Sequence, residues 1–200
     1  MHKAALAEHP INDILRHRWS PRAFADKPVP AEVLRSIFEA ARWTPSSSNE
    51  QPWAFIVATK DDRATHAKLL GTLVEANQVW AKHAPVLGIA VSELAFAQSG
   101  RPNRNAYYDT GQAVAHLTFE ASAHDLFVHQ MGGFDPQKAI DFFSIPPGWQ
   151  PIAAFVIGYL GDPQSLPDNL RERELAPRAR KPLTEFVMTG NWGQPASFLR

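Results

Sequence analysis

Apolar positions along this chain follow two rhythms. After Pro28-Val29-Pro30, the residues Val33, Leu34, Ile37, Phe38 and Ala41 recur every three to four positions, one face of an amphipathic helix. Glu32 near its start and Arg42 near its end suit the helix dipole. Ile11, Ile14 and Leu15 after Pro10 predict a shorter first helix, which delivers Arg16 and Arg18 near its end. Asp61-Asp62 caps a third helix through Leu69, Leu70 and Leu73, broken at Gly71 and resuming over Ala76 to Trp80. A long helix rich in small residues runs from Asn105 to Ala123. Its Gly111 predicts close packing by a neighbouring element or by a second subunit. Asp135-Pro136 opens a helix with Ala139, Ile140 and Phe143 on its apolar side.

The other rhythm is continuous. Trp53 to Thr59, Ala84 to Ser92, Leu126 to Gln130 and Pro151 to Leu160 are apolar runs of strand length, read as buried strands. Between them, Glu93 to Arg104 has turn residues and no period, as expected of a mobile lid or an insertion. Residues 162 to 181 are polar and close on Pro177-Arg178-Ala179-Arg180-Lys181-Pro182. That is either a solvated charge run or the completion of an anion site begun by Arg18. Leu183 to Arg200 has no strong period and is a candidate to reach across to a partner. Without internal repeats or low-complexity stretches, residues 1–200 read as one domain.

Composition narrows the chemistry. Equal counts of 20 basic and 20 acidic side chains give zero net charge, so no basic face is advertised for nucleic acid. The absence of cysteine excludes disulfides, thiolate nucleophiles, iron–sulfur clusters and cysteine-ligated zinc. No run approaches the roughly 20 apolar residues of a membrane helix, and the first residues do not resemble a signal peptide. The expectation is a soluble, cytoplasmic protein with no membrane partner. Histidines 116, 124 and 129 lack the spacing that puts two metal ligands on one helix face. No G-x-S-x-G elbow or P-loop occurs, and no strand is followed by G-x-G-x-x-G.

Two segments carry the positive signal. Arg18-Trp19-Ser20-Pro21-Arg22-Ala23-Phe24 places two guanidiniums and a hydroxyl within five residues. Thr44-Pro45-Ser46-Ser47-Ser48-Asn49-Glu50-Gln51-Pro52-Trp53 is a loop of hydroxyls and amides. Fixed cations facing such a loop suit a phosphorylated, hydrogen-bonding cofactor. Together with Ala76-Asn77-Gln78, Gly132-Gly133-Phe134-Asp135 and Arg178-Ala179-Arg180, these blocks resemble the FMN-dependent nitroreductase family. The Pro-Ser-Ser-x-Asn-x-Gln-Pro-Trp block is the most specific of them.

The resemblance implies an α+β sandwich, a mostly antiparallel sheet flanked by helices, built as an intertwined homodimer with FMN at the subunit interface. It assigns the phosphate to Arg18, Arg178 and Arg180, with Trp19 and Ser20 lining the phosphate and ribityl chain. Arg22 falls beside the N1 and O2 edge of the ring, as the catalytic residue, and Asn77 faces the pyrimidine edge. Pro45, Ser46, Ser47 and Asn49 join from the cofactor loop, the first three of them from the other subunit. Gly132 and Gly133 offer backbone N–H groups near N5 and O4, and Met131 beside them is also assigned to cofactor binding. The implied activity is an NAD(P)H-dependent oxidoreductase, with NADPH or NADH as donor and a nitroaromatic, quinone or similar electrophile as acceptor in ping-pong order; the alternative is a flavin-binding or flavin-storage protein without efficient turnover. Two departures stand out. Gln130 and Gly132 replace the proline and glutamate of better-known members, and Trp19 replaces a smaller or imidazole side chain.

Overall fold

In the computed structural model, which describes residues 3–199, the four apolar runs form a single sheet. Met1, His2 and Arg200, the ends of the expected 1–200 domain, lie outside the described residues. Strands β1 (Trp53–Thr59), β2 (Val86–Glu93), β3 (Leu126–Met131) and β4 (Trp149–Tyr159) lie in the order β1-β2-β4-β3. Every neighbouring pair is antiparallel. Seven α-helices occur among the described residues: α1 (Asp13–His17), α2 (Ala31–Arg42), α3 (Arg63–Thr72), α4 (Glu75–Ala81), α5 (Ala106–Ala123), α6 (Pro136–Phe143) and α7 (Asp168–Leu175).

The strands read as unbroken apolar runs because helices cover both faces. Leu87, Ile89 and Val91 of β2 and Val156 of β4 pack with Leu69 of α3, Trp80 of α4 and Ala139 of α6. Val86, Ala90, Phe155 and Ile157 on the opposite face pack with Ile37 and Ala41 of α2 and with Ala113, Val114 and Leu117 of α5. Gly88 makes room for that second core, since a Cβ there would come within 2.4 Å of the Phe155 ring. Between Ala90 and Val91 the β2–β4 register shifts, and Val91 faces Pro151. A proline without an N–H is tolerated in a central strand at such an irregularity.

Several expectations change. Helix α1 starts only at Asp13, because the Asn12 side chain accepts from Ile14 N at 2.9 Å; Pro10 and Ile11 precede it. The third helix does not break at Gly71. It ends at Thr72, where Leu73 and Val74 turn extended and Leu73 bridges to Phe134. Residues 93–104 form a closed turn rather than a free lid: Ala95 pairs with Pro102, and Phe96 N donates to Arg101 O at 2.9 Å. The Glu50 carboxylate latches this turn by accepting from Ala97 N. The polar stretch after residue 161 is not simply solvated, since it contains α7 and buries Glu174. Among the described residues, no heavy atom beyond its chain neighbours and its own helix backbone lies within 4 Å of a Cβ built on Gly111, so packing against another element of the chain does not explain that glycine. The tail folds back at an isolated Met188–Pro195 bridge between two 3₁₀ turns.

Candidate cofactor-binding site

Three groups of residues emerge. The first is a cleft of about 180 Å³ lined by Lys3, Arg18, Trp19, Ser20, Arg22, Arg173, Glu174, Arg178 and Arg180. Helix α1 releases the chain into the Arg18 segment, and the end of α7 brings Arg178 and Arg180 to it. Arg178 donates to the carbonyls of Lys3 at 2.8 Å and Arg16 at 3.1 Å, which ties the far end of the chain to its beginning. Burial pushes the Arg18 guanidinium below its ordinary pKa, and the charges of Arg178 and Arg180 push the same way. Burial, then Arg180, does the same to Arg178. Among the described residues no carboxylate forms an ion pair with Arg18, Arg178 or Arg180. Converging cations that repel each other without an anion between them are the donor set of an anion site.

Two side chains, buried Glu174 and half-buried His129, hold the Ser20–Ala23 segment in place. The Glu174 carboxylate accepts from Arg22 N at 2.8 and 3.0 Å and from Ala23 N at 3.1 Å, and stands 3.8 Å from the Arg22 guanidinium. His129 of β3 donates from Nδ1 to the Pro21 carbonyl at 2.7 Å, its ring 4.6 Å from that of Trp80. Burial lowers the His129 pKa to about 4; the Pro21 bond pulls the other way and Arg22 adds to the fall. His129 is therefore neutral near pH 7. Trp19 is buried edge-on to Phe127 with Lys3 Nζ 4.7 Å above its ring, while Ser20 sits 3.5 Å from Arg18 NH1.

The second group lies where α4 meets the chain just after β3. Asn77 Nδ2 donates to Gly133 O at 2.9 Å, and Val74 N reaches the same oxygen at 3.1 Å. A Cβ on Gly133 would stand 2.7 Å from Asn77 Nδ2, so the glycine is what permits this approach. Gly132 is exposed with open space around it, leaving its backbone accessible to a planar ligand. The Met131 side chain is in the core, so this residue offers a ligand only its backbone.

The third group stays apart. In the serine loop Ser48, Asn49 and Gln51 all have positive φ, which costs on the order of 1–3 kcal/mol for each such residue. The loop is held by Ser47 N donating to Asp109 at 3.0 Å and by Gln51 N donating to Ser46 Oγ at 3.0 Å. Pro45 and Asn49 line a separate cleft that shares no residue with the cation cleft. Within one chain, Pro45, Ser46, Ser47 and Asn49 are not brought to Arg18 and its neighbours.

Glu174, His129, Asp109, Glu50 and Lys3 were not singled out by sequence as parts of a site. Glu174 sits in an Arg-Glu-Arg-Glu run that looks like any solvated helix face. No group of three or more metal-ligating side chains occurs among the described residues. None of the described helices is long and apolar enough to cross a membrane.

The family profile described as the nitroreductase family matches residues 15–159. The chain belongs to the nitroreductase family. A solved structure described as an oxidoreductase containing FMN superposes with a TM-score of 0.88 at 37% identity, covering 92% of this chain and 94% of that one. A candidate NADH dehydrogenase/NAD(P)H nitroreductase of Stenotrophomonas maltophilia is 28% identical over 180 residues, 81% of this chain and 90% of that one. A more local match, 47% identical over 53 residues, is to a chloronitrobenzene nitroreductase of Comamonas testosteroni, covering 26% of this chain and 23% of that one. The profile stops short of Arg178 and Arg180, so in this nitroreductase-family chain their placement rests on the geometry alone.

Proposed function

We propose that this nitroreductase-family protein is an FMN-dependent oxidoreductase that acts as a homodimer. The observation that carries the reading is the cleft in which Arg18, Arg178 and Arg180 converge with no carboxylate paired to them among the described residues. A phosphate monoester brings close to two negative charges to such a cleft, and each charge-assisted hydrogen bond contributes about 1.5–3 kcal/mol. Arg18, Arg178 and Arg180 would hold the phosphate. Trp19 and Ser20 would line the chain leading from it, and Asn77 with the Gly132-Gly133 backbone would face the ring. The FMN content and NAD(P)H names of the relatives support this fit.

When bound, FMN supplies the two-electron chemistry, with NADPH or NADH as donor and a nitroaromatic, quinone or similar small electrophile as acceptor in ping-pong order. Arg22 acts by charge. A guanidinium fixed beside the pyrimidine edge favours whichever state of the ring is more negative, which is its reduced form. The serine loop, remote from the cation cleft in its own chain, would complete the site of the partner.

The test is to purify the protein, quantify bound FMN, and follow anaerobic bleaching by NADPH and NADH. Arg18→Ala is expected to weaken FMN retention at least tenfold. Arg22→Ala is expected to keep the cofactor and slow its reduction at least tenfold. A colourless protein that takes up no FMN at micromolar concentration overturns the reading. Bound flavin that neither nicotinamide reduces favours a flavin-storage role instead.

A further inference from the structure

The Arg22–Ala23 backbone enters the cleft with two N–H groups that no strand or helix satisfies, and both end on one carboxylate. Its oxygens lie 2.8 and 3.0 Å from Arg22 N and 3.1 Å from Ala23 N, with a side-chain exposure of 0%. Glu174 belongs to the last turn of α7, where the helix dipole disfavours a negative charge. Buried amides need an acceptor, but an uncharged one satisfies them at lower cost than a desolvated carboxylate. The charge therefore calls for a second explanation. It stands 3.8 Å from the Arg22 guanidinium and, among the described residues, is the only carboxylate lining a cleft that holds Lys3 and five arginines.

We propose that Glu174 is a positioning residue with two effects: it clamps the Arg22–Ala23 backbone, and its charge attenuates the field that Arg22 presents to the cleft. The inference rests on the FMN reading only for its second effect. With FMN bound, a partly neutralised Arg22 favours the reduced ring less than a free guanidinium does. Glu174 would thus hold the flavin potential down while fixing the residue that raises it.

The test compares wild type, Glu174→Gln and Glu174→Ala. Glutamine keeps an acceptor for the amides and removes the charge; alanine removes both. Amide hydrogen exchange at residues 22 and 23 of the FMN-free protein is expected to speed up at least tenfold in Glu174→Ala and less than threefold in Glu174→Gln. In the FMN-loaded protein, Glu174→Gln is expected to retain FMN within threefold of wild type and to show a more positive midpoint potential. A purely structural Glu174 leaves the potential of Glu174→Gln unmoved, which overturns the electrostatic half. Unchanged exchange in Glu174→Ala overturns the clamp. If Glu174→Ala does not fold, a midpoint potential for Glu174→Gln at or below wild type defeats the proposal. Failure of every variant and of wild type to bind FMN defeats the functional reading instead, and the exchange rates still decide the clamp.

Discussion

His129 shows how the candidate site leans on a side chain that does not line its cleft. Its imidazole spans the distance between the core, through Trp80, and the Pro21 carbonyl that shapes the Arg18–Arg22 turn. The folded pKa of about 4 lies below the ordinary histidine value of 6.5, so the unfolded chain takes up a proton first. The stability this histidine contributes is complete above about pH 6.5 and is lost as pH falls toward 4. His129→Gln, which keeps a donor for Pro21, is expected to lose less stability across that window than wild type. The difference is on the order of 3 kcal/mol at most. Denaturant titrations at a series of pH values measure it, and parallel curves for the two proteins would contradict it. At this scale the sequence revealed the cations and concealed their supports. Arg18, Arg22, Arg178 and Arg180 are visible because positive charge near hydroxyls has few other uses. Glu174 and His129 are not, since one carboxylate among alternating charges and one half-buried histidine in a short edge strand leave no periodic trace.

Elements were legible where an apolar face dictates them. Helices α2 and α6 and all four strands fall close to the positions their patterns indicate, because each buries its stripe or run against the sheet. The junction of α3 and α4 is not written locally. Leu73 leaves the helix to pair with Phe134, sixty-one positions away, and no window around Gly71 contains that information. The same junction swings Asn77 against Gly133, so it is also what builds the second half of the site. Gly133→Ala tests this coupling. The added methyl meets Asn77 Nδ2 at 2.7 Å and Val74 at 3.0 Å, both on the segment that must not move. The expected cost is about 1–3 kcal/mol, with FMN affinity falling further than for Gly132→Ala, where the surrounding space is open. Thermal unfolding and FMN titration of the two variants provide the comparison. Equal effects would sink the idea that this contact positions the ligand.

On the scale of the whole molecule, the clearest features are those that one chain leaves unfinished. Gly111 lies on an open face of α5, four residues after Tyr107 and three after Tyr108, so the three share one side of the helix. Both tyrosines are exposed, at 52% and 71%, which is unusual for rings beside a bare glycine. With the serine loop separated from the cation cleft, this supports the homodimer reading. Sedimentation is expected to show a dimer at micromolar concentration. Gly111→Glu is expected to shift it to monomer and to cost FMN binding without unfolding the chain. A wild-type monomer that holds FMN would refute the shared site. The sequence pointed to a second subunit through the small residues of α5; it gave no means of choosing that explanation over an intrachain neighbour until the space around Gly111 was seen to be open.

One consequence follows from where the strands end. Tyr159 closes the last of the four, yet Glu174, Arg178 and Arg180 come later in the chain. The grip on the anion is thus carried by a segment that lies wholly outside the sheet. Ligand retention in this protein is then expected to depend on how firmly that segment is fastened to the rest of the fold. A polypeptide cut short after the final strand would lose that grip together with Leu166 of the core and the Glu174 carboxylate under Arg22.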